Sequence, residues 1–202
     1  MKKRRFNIDL KAQMEKQANE AQCRQSALQK RIERFGGQKR LLLETIRPIA
    51  DEYAGETRTV IVETSRTGYS SEHYHLFKFF RANQETHHDQ SGVARFLGIK
   101  TTVLYMVGGI HLHWSTDSNG IPGDINVKVE RDLNYTKMPG RVISATNAEV
   151  EDRYSRWLEG ANYTVQSCKL DLEQDQRLDG DWLVRSLEAM TEGIQWANVN
   201  FS

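Results

Sequence analysis

The sequence predicts an α+β protein: an N-terminal helical arm, either a helical hairpin or a coiled coil, followed by a mostly antiparallel sheet covered by two C-terminal helices. Three observations carry this. Apolar residues recur at alternating steps of four and three from Met14 to Ile49, they alternate with polar ones after Gly55, and two helical patterns return near the C-terminus. The natural division is a basic helical arm at residues 1–55 and an α+β domain at residues 56–202.

In the arm the stepped positions are Met14, Ala18, Ala21, Gln25, Leu28, Ile32, Phe35, Lys39, Leu42, Ile46 and Ile49, nine of eleven apolar, which is the heptad seam of a coiled coil. Leu28, Ile32, Phe35, Leu42 and Ile46 form its firmer half and are the candidate oligomerisation residues; their burial requires a partner chain or the protein's own body. A glycine after Phe35 is a natural helix terminator, so the expectation is two helices, about 8–35 and 38–53, with one rod as the alternative. Pro48 lacks a backbone N–H and predicts a kink in the second.

The domain opens on Thr57–Thr64, a β-branched strand, then a polar loop and a second strand at His73–Arg81. Residues 82–92 read as a loop, and 93–97 as a helical turn. In the stretch Thr101–Ser115, alternating runs flank Gly108-Gly109, which predicts a two-residue hairpin turn pairing Val107 with Ile110 and Tyr105 with Leu112. Further strands are expected at Asp124–Glu130, Arg141–Ser144 and Tyr163–Leu172. A capping box from Thr146 to Glu149 opens a helix closed by Gly160, and a last helix starts near Asp181 with Leu183, Leu187, Met190 and Ile194 on one face.

Charge is divided unevenly. Residues 1–47 hold 13 Lys and Arg against 5 Asp and Glu, a balance of +8, and the remainder holds 15 against 22, a balance of −7. A basic arm suits an anionic partner, or docking on an acidic body of its own or of a second subunit. Lys2, Lys3, Arg4 and Arg5 form one cluster and Lys30, Arg31, Arg34, Lys39 and Arg40 a second; both are candidate phosphate contacts, without reading of bases.

All six histidines occur in close pairs, and His73/His75 and His111/His113 have the H-x-H spacing that puts two imidazoles on one face of a strand. Together they are a candidate metal site for Zn or Fe, with an activated water as the chemistry. The competing reading is that they are half-buried strand residues. No phosphate-binding loop, nucleophile elbow or cysteine–histidine pair is found, and Cys23 and Cys168 have no C-x-x-C partner, so no cofactor is expected outside the metal alternative. The opening MKKRRFNIDLKAQMEKQ has no apolar core region, and no apolar run spans a membrane, so the expected setting is the cytoplasm.

The function expected from these residues is non-enzymatic: an oligomeric, nucleic-acid-associated or regulatory protein that binds the phosphate backbone through its basic arm. The alternatives are a metal-dependent enzyme built on the two H-x-H pairs, and an adaptor or inhibitor that binds another protein.

Overall fold

The structure, a computed structural model, describes residues 2–86, 100–132, 137–138, 162–174 and 176–192, with the side chains of all but 2–10, 83–86, 100–103, 137–138 and 162 among them. It belongs to the mixed α+β class. One long helix, α1 (Lys2–Thr57), precedes the strands β1 (Thr59–Thr67), β2 (Glu72–Thr86), β3 (Lys100–Ser115), β4 (Ile125–Asp132), β5 (Lys137–Met138) and β6 (Asn162–Leu170), and a second helix, α2 (Gly180–Thr191), follows. The strands form one six-stranded antiparallel sheet in the order β1-β2-β3-β4-β6, with β5 paired to β3.

The arm is not a hairpin. α1 runs 56 residues without a break, about 84 Å at 1.5 Å per residue. Gly36 and Gly37 keep negative φ inside α1 and make no turn, and contacts of Arg31, Arg34 and Phe35 before them and of Leu42 and Ile46 after them hold the helix through. Pro48 lies on the exposed face, where the carbonyl it leaves without an N–H partner is open to water. The expected terminators are each worth about 1–3 kcal/mol of helix propensity, and tertiary packing overrides them.

What that packing is can be read from burial. Leu42, Ile46, Ala50, Tyr53 and Ala54 are buried, and they form one core with Phe77 and Phe79 of β2, Ile110, Leu112 and Trp114 of β3, Ile125, Val127 and Val129 of β4, and Leu183, Leu187 and Met190 of α2. The seam expected for a partner chain is, from Phe35 onward, spent on the protein's own sheet. Both helices therefore cover one face. The opposite face is also buried at Leu76, Phe80, Leu104 and Met106, and it carries Lys78, only 3% exposed.

Gly108-Gly109 is not a turn either. β3 passes straight through the pair, with Gly108 opposite Phe79 and Arg131, and Gly109 opposite Lys78 and Glu130. A two-residue turn of the expected type needs positive φ, and among the described glycines only Gly120 has it. The glycines serve close approach instead. A Cβ at Gly108 would strike the Glu130 carbonyl and stand 2.5 Å from Met190 Sδ of α2, and one at Gly109 would stand 2.6 Å from the Phe77 carbonyl. Next to them the register slips, leaving Val107 unopposed between the Phe79 and Phe80 pairings, a β-bulge that turns Val107 into the core.

The other expected strands fall where alternation puts them, with shifted ends: β1 runs from Thr59 to Thr67, β2 continues to Thr86 through part of the expected loop, β4 reaches Asp132, and β6 stops at Leu170. α2 is capped by the Asp179 carboxylate, which accepts from the Asp181 N–H. At its far end Arg131 of β4 donates to the carbonyls of Ala189, Met190 and Glu192, each at 2.6 Å. The helix expected from Thr146 to Gly160, the strand at Arg141–Ser144, the turn at 93–97, His87-His88 and Ile194 lie outside the described residues. No helix among the described residues is long and apolar enough to cross a membrane.

Candidate nucleic-acid and assembly surface

α1 is one helix with two environments. From Lys11 to Lys30 every residue is exposed, whereas from Arg31 the helix is held by the body. The first clamp is polar. Arg31 donates to the Pro122 carbonyl (3.1 Å) and to Glu173 (3.0 Å), with Asp124 at 3.9 Å, and Arg34 donates to the other Glu173 oxygen at 3.0 Å. Gln38 adds a bond to the Gln176 carbonyl. Next, Phe35 and Lys39 close on Trp114, with ring centroids 5.3 Å apart and the Lys39 ammonium 4.4 Å above the indole; burial lowers the Lys39 pKa. Farther along, Arg47 grips Glu63 of β1 with its nearest contact at 2.8 Å.

The expected phosphate contacts are thereby divided. Arg31, Arg34 and Lys39 are engaged by the body, while Lys30 is exposed and Arg40 lies 4.0 Å from Glu44 on the outer face, both groups well exposed. Lys2, Lys3, Arg4 and Arg5 begin α1, and their side chains lie outside the described residues. Of the expected oligomerisation residues, Leu42 and Ile46 are in the core and Phe35 is half-buried, whereas Leu28 is 39% and Ile32 45% exposed. Met14, at 62%, continues the exposed line. Sequence reasoning missed the acceptors that catch the arm, Glu63, Asp124 and Glu173. The surplus of acid after residue 47 was the signal, but it does not say which carboxylates.

The two H-x-H pairs do not converge. His73 pairs with Trp114 and His75 with Leu112, on the helix-covered face; His111 pairs with Leu76 and His113 with Tyr74, which puts them on the opposite face. Each histidine has a protein neighbour. His73 stacks on Trp114 and bonds with the Thr67 and Thr116 hydroxyls. His75 Nε2 bonds to Glu63 at 2.7 Å, and burial lowers its pKa despite that carboxylate. Arg47's hydrogen bond in turn lowers the Glu63 pKa. His113 stacks on Tyr74 and lies 3.7 Å from Glu72. His111 lies 3.3 Å from Glu130, and burial, with Lys78, Arg66 and Lys128 nearby, drives its pKa down to about 3. A neutral imidazole can ligate a metal, but among the described residues no group of three His, Cys, Asp or Glu side chains is arranged to hold one.

The geometry therefore defines an α+β body carrying a single helix, half docked and half projecting. No protein family, curated protein or solved structure matches the chain.

Proposed function

We propose that the protein is a non-enzymatic, self-associating protein whose projecting half of α1 binds the phosphate backbone of nucleic acid. The observation that carries the reading is the unbroken exposure of residues 11–30 on a helix whose first half is cationic: Lys2–Lys30 holds 8 Lys and Arg against 3 Asp and Glu. Cations along a solvated helix neutralise phosphates and release counterions without reading sequence. The docked cations Arg31, Arg34 and Lys39 already have partners in the body, which narrows the expected contacts to Lys2, Lys3, Arg4, Arg5, Lys30 and Arg40, and the exposed Lys16 and Arg24 are added to them. A second reading, an adaptor for another protein, is favoured by the exposed Met14, Leu28 and Ile32 line.

The test separates the two sets of cations. Lys16→Gln, Arg24→Gln and Lys30→Gln together should weaken binding to duplexes of any sequence and flatten the log–log salt slope by up to about 2.7, at about 0.9 per phosphate. Arg31→Gln with Arg34→Gln should leave the slope unchanged. Anisotropy showing wild-type affinity and slope in the triple variant, or no binding by the wild type at low salt, would overturn the nucleic-acid reading and leave the adaptor in front.

A further inference from the structure

The seam that buries α1 on the sheet does not stop at the sheet's edge. It continues in register through Ile32, Leu28, Gln25, Ala21, Ala18 and Met14, now facing solvent. Before Met14 the same positions are Lys11, Asn7 and Arg4, so the apolar line ends there. Its two ends are thus fixed: polar residues on one side and the protein's own body on the other.

We infer that this line is occupied by the same line of a second copy, antiparallel, with the two-fold axis at residue 23. The inference deepens the assembly part of the reading above, and three observations carry it. The first is steric. Beyond Phe35 each seam faces its own sheet, so a parallel partner, lying on the seam side of α1 and running on toward residue 57, would occupy the space the sheet fills. An antiparallel partner puts the two bodies at opposite ends, and only its residues 2–11, rather than its whole docked half and body, come level with the first one's sheet.

The second is size. Antiparallel coiled coils pair each a position with a d position of the partner. Centred on residue 23, Met14 meets the partner's Ile32, Ala18 the partner's Leu28, and Ala21 the partner's Gln25. Both alanines oppose a long residue, so the four central layers have similar thickness, with Met14–Ile32 closing each end. A parallel register would instead stack Ala18 and Ala21 on themselves between Met14 and Gln25 on themselves, leaving two adjacent thin layers among four thick ones, which close packing resists.

The third is charge. The chain before Met14 carries Lys2-Lys3-Arg4-Arg5-x5-Lys11, and in this register it runs past the end of the partner's body that surrounds its Arg31, with Lys11 level with Phe35 and residues 2–5 level with 41–44. That end holds Asp117, Asp124, Asp171 and Glu173. Lys11 and Lys16 come level with that acidic end, whereas a parallel pair would set two tetrabasic clusters side by side.

The register names the residues that flank the axis: Gln22 faces the partner's Gln22 on one side of the seam, and Arg24 the partner's Arg24 on the other. In a Cys23→Ser background, which removes the exposed native thiol, Gln22→Cys should yield a disulfide-linked dimer on air oxidation, and Ala18→Cys alone should not. Mixing Ala18→Cys with Leu28→Cys chains should give the mixed product. Arg24→Gln removes a like-charge pair and should tighten dimerisation by about 1.5- to twofold in sedimentation, by the usual worth of such pairs. Ile32→Glu should yield monomers with an unchanged fold by circular dichroism. A wild-type mass of one chain, or an Ala18→Cys homodimer forming as readily as the Gln22→Cys one, would overturn the antiparallel pair. These measurements contain no nucleic acid, so a dimer that ignores DNA defeats only the phosphate reading, and a monomer that binds DNA defeats only the pairing.

Discussion

The two halves of α1 share one repeat and opposite fates. Ile46 and Ile32 occupy equivalent positions fourteen residues apart, yet Ile46 is 0% and Ile32 45% exposed. The difference lies in what stands opposite: Phe77, Phe79 and α2 for one, solvent for the other. Periodicity states which face of a helix is apolar, not what covers it. A solvated helix of about 20 residues is marginal in water, so the projecting half depends on the docked half to nucleate it and gains from any partner that covers its seam.

The sharpest way to break this comparison is to cut both isoleucines. Ile46→Ala opens a cavity in the core and should cost about 2–5 kcal/mol in urea unfolding. Ile32→Ala, read at a concentration too low for association, should change stability by less than about 0.5 kcal/mol. Equal losses would mean that the arm is docked along its whole length.

Smaller is the response to pH, which isolates the body from the arm. His111 stays neutral in the folded protein down to about pH 3, while in the unfolded chain it takes up a proton near pH 6.5. A folded pKa below the unfolded one means that the unfolded state binds more protons between those values. Stability is therefore complete above about pH 6.5 and falls as the solution is acidified below it. From about pH 7 to 5 this one group should cost about 2 kcal/mol, and His111→Gln should flatten the slope by that amount. An unchanged slope in the variant would show that His111 titrates freely.

The smallest effect belongs to the boundary between the halves. Gly36→Ala and Gly37→Ala introduce methyl groups with nothing within 4 Å, so each should gain up to about 1 kcal/mol of helix stability and raise the helical signal. A loss would mean that the glycines act as a hinge or admit a partner's backbone.

These contrasts also show what was legible in the chain. The strands of the core were readable because alternation follows from the pleat, and α2 because Leu183, Leu187 and Met190 share one face. The glycine pairs were not. A Gly-Gly between alternating runs reads identically as a hairpin turn or as a place where a helix presses on a strand, and only Met190, some eighty residues away in sequence, decides it. In α1, Gly36-Gly37 signals termination locally, while Arg31, Arg34 and Phe35 on one side and Leu42 and Ile46 on the other hold the helix through. The histidine spacing correctly places each pair on one face of a strand; it carries no information on which face, and the two pairs took opposite ones. For the candidate surface, the charge division pointed to the arm, but which cations the body would claim depended on contacts such as Arg34 with Glu173, 139 positions apart.

The guanidinium of Arg131 has a consequence of another kind. By closing on three carbonyls at the end of α2, it removes the fraying that a short terminal helix ordinarily undergoes. The last turn of α2 cannot open without breaking a charge-assisted clamp seated on an interior strand of the sheet, and Met190 cannot leave its slot over Gly108 without that turn. Helix end, glycine slot and strand β4 thus form a single cooperative unit of opening, in which the short helix α2 shares the protection of the sheet's centre.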